Sequence, residues 1–86
     1  MQAISDRRRI RIYMMTVADG KPSLSPAADA WQEADGTVIV SGLWGGLLPF
    51  AQEDNALLAT QAGVSPLEWL RMRLANMPTV STEVFD

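Results

Sequence analysis

The amino-acid sequence predicts an α+β domain in which a small antiparallel sheet of about three strands packs against two C-terminal helices. Three observations carry that expectation. Arg9, Arg11 and Tyr13 alternate with Ile10, Ile12 and Met14, the period of two that gives a strand one buried face. Asp35-Gly36 separates Ala30-Trp31-Gln32-Glu33-Ala34 from Thr37-Val38-Ile39-Val40-Ser41, the pattern of a β-hairpin. Gly63-Val64-Ser65-Pro66-Leu67-Glu68 joins a helix stop to a helix start, which predicts two helices across a tight turn.

Taken in order, residues 1–6 read as a loose end and residues 7–17 as the first strand. Asp19-Gly20-Lys21-Pro22 has turn composition, and the Ser/Pro-rich stretch to Pro26 reads as a loop. A two-residue type I′ turn at Asp35-Gly36 would set Trp31 opposite Val40 and Glu33 opposite Val38. The alanines of residues 26–34 also suit a short helix, so that arm stays open between strand and helix.

Residues 42–50, Gly42-Leu43-Trp44-Gly45-Gly46-Leu47-Leu48-Pro49-Phe50, combine a glycine-rich backbone with bulky apolar side chains. They lack the Lys-Ser/Thr of a phosphate-binding loop. They serve either as core beneath the loop or as an apolar knuckle for a partner. A helix follows from around Pro49–Asp54 to Ala62, with Glu53 and Asp54 at its positive end.

The second helix, Pro66 to about Asn76, has the fuller set of start signals. Ser65 is placed to cap it, Pro66 suits its first position, and Glu68 could reach back to the Ser65 amide to complete a capping box. Leu67, Leu70, Leu74 and Met77 form one stripe, while Trp69 and Met72 fall on a nearly opposite sector, so the helix is expected to be covered on two sides. Residues 79–86 remain open between a last strand and a loose end. The whole chain, residues 1–86, reads as one domain.

Composition narrows the chemistry. An apolar fraction of 48% with three tryptophans suits a packed globule. No apolar run reaches the roughly 18 residues of a spanning helix, and no signal-peptide core follows the N-terminus, which predicts a cytoplasmic protein. The chain contains no cysteine and no histidine. Disulfides, thiol nucleophiles, Cys/His zinc sites and Ser-His-Asp triads are therefore excluded, and no enzyme, cofactor or metal is expected. Net charge is −3, unevenly spread: Arg7, Arg8, Arg9, Arg11 and Lys21 make the N-terminal part basic, and no basic residue occurs from Pro22 to Leu70.

Leu58-Ala59-Thr60-Gln61-Ala62-Gly63-Val64-Ser65-Pro66, followed by Trp69, resembles the helix-turn-helix of bacterial repressors. With Glu68-Trp69-Leu70-Arg71, the same region, residues 52–76, is also similar to the helical pair of ribbon-helix-helix regulators. The resemblance implies a dimeric DNA-binding transcriptional regulator using Arg7, Arg9, Arg11, Ser65, Arg71 and Arg73. Against it, the positions that would face a groove include Leu67, Leu70 and Leu74, which cannot hydrogen-bond to base edges.

The residues themselves favour a small non-enzymatic domain that binds another protein, as an inhibitor, adaptor or regulatory partner of the kind carried by mobile elements. The expected binding residues are Trp44, Leu47, Phe50, Glu53, Asp54, Trp69 and Met72. The acidic middle suits a partner with a basic surface, and the two-sided second helix suits self-association, with DNA the less favoured ligand and no membrane involved.

Overall fold

The computed structural model describes residues 3–42 and 53–85, with Glu53 and Asp54 described through their backbone only. The elements run β1 (Arg9–Ala18), β2 (Lys21–Gln32), β3 (Val38–Gly42), α1 (Glu53–Gln61), α2 (Pro66–Ala75) and β4 (Val80–Phe85). The fold is α+β, as expected. Among the described residues its sheet, however, has four antiparallel strands in the order β3-β2-β1-β4 rather than about three.

The extra strand is β4, which returns after the helices to pair with β1 from Arg9↔Phe85 to Met14↔Val80. Residues 26–34, which composition left between strand and helix, lie in β2 and the turn after it. The Ser/Pro-rich stretch is strand too. Pro22 and Pro26 are tolerated there because β3 reaches only as far as Ala28, so this half of β2 is an edge among the described residues, and the β1–β2 register shifts beside Pro26.

The chain holds two Asp-Gly pairs, and the tight two-residue turn is made by the other one. Asp19 and Gly20 both have positive φ, at 53° and 74°, as a type I′ turn requires, and they connect β1 directly to β2. At Asp35-Gly36 the loop has three residues instead. Gly36 N donates to Glu33 O at 3.0 Å, Glu33 N donates to Thr37 O at 2.8 Å, and Gly36 takes φ 94°. The register is consequently one residue away from the expected one, with Trp31 opposite Ile39 and Gln32 opposite Val38. Burial explains the choice. A one-residue slip would turn Val38, which is buried, away from the helices and bring Ile39 inward.

One face of the sheet carries the core. Ile10 and Ile12 of β1, Ala28 and Ala30 of β2 and Val38 of β3 meet Leu67, Leu70 and Leu74 of α2. The three leucines are three of the four stripe residues read from the sequence, Met77 lying beyond the helix and 40% exposed, and each leucine contributes roughly 1.5–3 kcal/mol by leaving water. Before α2, Val64 N donates to Ala59 O and Gly63 N to Thr60 O, with Gly63 at φ 77°. This pair of bonds is a Schellman motif, and it ends α1 at the glycine expected to stop it.

The start of α2 is held from three directions. Ser65 accepts from Glu68 N at 3.0 Å, as a cap should. Gln32, at the end of β2, accepts from Leu67 N at 3.1 Å and donates to Ile4 O at 2.7 Å, which ties sheet, helix and N-terminal segment together. The Glu68 carboxylate does not return to the Ser65 amide; it takes Arg71 and Arg8 as partners. Only half of the capping box therefore forms. Among the described residues, no helix is long and apolar enough to cross a membrane.

Candidate functional site

Strand alternation sends the odd-numbered side chains of β1 to the face opposite the helices, and no described element covers that face. The register lines its residues up in rows. Ile39, Trp31, Arg9 and Phe85 form one row across all four strands, and Ser41, Asp29, Arg11 and Glu83 form the next. Further along, Tyr13 lies between Pro26 and Ser81, and Met15 lies opposite Leu24.

Arginine and aromatic groups interleave here. The Arg9 guanidinium sits 4.9 Å from the centroid of the Trp31 ring, and the Arg11 guanidinium 5.5 Å from that of Phe85. Both are within cation–π range. Arg11 also donates to Asp29 at 3.1 Å, which holds its guanidinium still more firmly protonated. Arg9 has no carboxylate partner among the described residues. At the Arg9 end of the face a cleft of about 560 Å³ is lined by Asp6, Arg7, Arg9, Trp31, Glu33 and Phe85.

Beyond the ends of both β3 and β4, among the described residues, the β1–β2 hairpin continues from about Met15 as a two-stranded arm. Met15, Val17 and Leu24 on it are 39%, 68% and 56% exposed. Two strands are marginal in water without a covering layer, so this apolar arm extends the open face as a surface suited to contact.

The helix side carries a separate polar network. Asp6 accepts from Arg8 at 3.0 and 2.8 Å and from Ser65 Oγ at 2.6 Å. Arg8 continues to Glu68 at 3.1 Å, and Glu68 to Arg71. The Arg8 guanidinium, helped by the Ser65 hydroxyl, holds the Asp6 carboxyl down at about 2. Arg71, then Arg8, lowers Glu68 in the same direction. These groups anchor the N-terminal segment to the start of α2, and the network is saturated by its own members.

The residues expected to act distribute as follows. Trp44, Leu47 and Phe50 lie outside the described residues, as do the side chains of Glu53 and Asp54. Trp69 packs against the core, with its indole N–H buried and without an acceptor among the described residues. Met72, 40% exposed, lies on the side of α2 turned from the sheet. Arg9 and Arg11 share the open face, and Arg7 borders its cleft. Ser65 and Arg71 belong to the network on the helix side, and Arg73 donates to Asn55 of α1. The six basic and polar positions thus fall on two sides of the sheet.

Trp31, Phe85 and Tyr13 were not singled out from the sequence as site residues. The alternation of residues 9–13 marked the polar face of β1. Its aromatic neighbours became visible only once β2 and β4 were paired with it, because they lie far along the chain. The class defined by fold and surface is an α+β domain with helices on one face of an antiparallel sheet and an arginine–aromatic platform on the other. Compared with known proteins, the chain matches no family model, no curated protein and no solved structure.

Proposed function

We propose that the chain is a small non-enzymatic cytoplasmic domain that works by binding another protein, and that it does so through the open face of its sheet. The observation that carries this reading is the row Ile39-Trp31-Arg9-Phe85, continued by Tyr13, Met15 and Leu24 onto the projecting arm. Tryptophan, tyrosine and arginine are the side chains that dominate binding hot spots, and exposed aliphatic groups around them exclude water. The charges of the platform support a protein over DNA. Arg11 is paired with Asp29 and has Glu83 on its other side, which leaves Arg9, among the described residues, as the one uncompensated cation of the two rows, whereas duplex affinity needs several on one face. The lack of cysteine and histidine supports a binding role over catalysis.

Affinity capture from a nuclease-treated host lysate tests the reading with the folded chain as bait. Arg9→Glu and Leu24→Asp, both at exposed positions, are expected to lose the captured protein. Met72→Gln, on the opposite side of the molecule, is expected to retain it. Loss of the bound material on nuclease treatment would contradict the proposal, as would retention by both face variants.

A further inference from the structure

We infer that the outer edge of β4 joins two copies of this chain across a two-fold axis, extending the sheet from one copy into the other. Met15 N donates to Thr79 O at 2.8 Å, so in the β1–β4 register the positions 79, 81, 83 and 85 turn their backbone groups toward β1. Val80, Thr82 and Val84 therefore turn theirs to the outer side, where no described strand pairs with them and only Val80 N is already taken, by Met77 O at 3.2 Å.

Among the described residues, this edge carries few of the usual guards. Between Val80 and Phe85 there is no proline, no lysine and no register shift, and the single charged residue, Glu83, directs its backbone inward. The outward set is also symmetric about Thr82. An antiparallel partner centred there places Thr82 opposite the partner's Thr82 and Val84 opposite the partner's Val80, so every outward position meets an outward position. Glu83 then faces the partner's Ser81, which avoids a direct like-charge pair.

Side chains follow the same logic. Val80, Thr82 and Val84 point to the helix side of the sheet, where Val80 already packs on the core and Val84 is 39% exposed. Pairing covers each Val84 with the partner's Val80. Met77, 40% exposed and just before β4, lies beside the seam. A β-branched strand with a free edge and self-complementary register is best matched by a second copy of itself. The inference does not depend on which ligand the open face takes.

Sedimentation velocity over a range of protein concentrations tests it. The wild-type protein is expected to run as a dimer of the 9.4 kDa chain at high concentration. Thr82→Pro removes a donor that serves only the seam and leaves the β1–β4 ladder intact, so it should weaken dimerisation at least about ten-fold with unchanged circular dichroism. Val84→Lys, at a part-exposed position, should do the same by setting a charged side chain against the partner's Val80, and it decides the matter if Thr82→Pro does not fold. A wild-type protein that is monomeric throughout, or a dimer that survives in the folded variants, would overturn the inference.

Discussion

Asp6 is the residue on which the N-terminal segment depends. Its carboxylate accepts from Arg8 and Ser65, so Asp6→Ala should cost about 1–3 kcal/mol by leaving those donors without their acceptor. Its folded-state value lies below the ordinary one, which fixes the sign of the pH effect. The stabilisation is complete above 3.8 and is lost as the pH falls through about 2. Allowing for screening by water, this amounts to about 1–2 kcal/mol. Urea midpoints measured from pH 5 down to 2 should therefore fall more steeply for the wild type than for Asp6→Ala, and parallel curves would contradict the assignment. Trp69 is the counter-example at this scale. It has the volume of a binding anchor, and it is partly buried against the core.

At the scale of elements, the strongest local signals were legible and the long-range ones were not. The α1 stop at Gly63, the Ser65 cap and the leucine stripe of α2 could each be read within a single stretch, because the chemistry that causes them is local. Gly63→Ala should cost about 1–2 kcal/mol, from its positive φ alone, since an added Cβ would meet nothing within 4 Å. Leu70→Ala should cost about 2–5 kcal/mol by opening a cavity between α2 and the sheet. Thermal or urea unfolding ranks the two, and an equal or inverted order would contradict the packing described.

The register at Asp35-Gly36 differs from the expected one, and residues 79–86 stay open in the sequence between strand and loose end, because both are decided by distant partners. Asp19-Gly20 and Asp35-Gly36 look alike in sequence. The first closes a two-residue turn between long strands, while the second yields to the burial of Val38 and to Ala3, against which Gly36 is closely set. Pro22 and Pro26 suggested a loop, since nothing local reveals that their strand would have a free edge. The platform was half legible for the same reason: β1 contributes Arg9, Arg11 and Tyr13 in one run, but Trp31 and Phe85 join them only through pairing.

At the scale of the molecule, the sheet divides the protein into two sides with different work. One side is filled by α2 and the saturated Asp6 network. The other presents arginines, aromatic rings and an apolar arm, and it is the side proposed to meet a partner. Dimerisation through β4 would set two such platforms next to each other in one continuous sheet, giving a partner with repeated sites a two-fold grip.

Two methionines offer the most direct test of which side binds. Met15 on the open face and Met72 on the outer surface of α2 are nearly equally exposed, at 39% and 40%. Peroxide oxidation followed by mass spectrometry therefore reads both sides in one sample. In the complex captured from the host, Met15 should be protected relative to the free protein while Met72 oxidises at its free rate; protection of Met72 with Met15 still reactive would contradict the account.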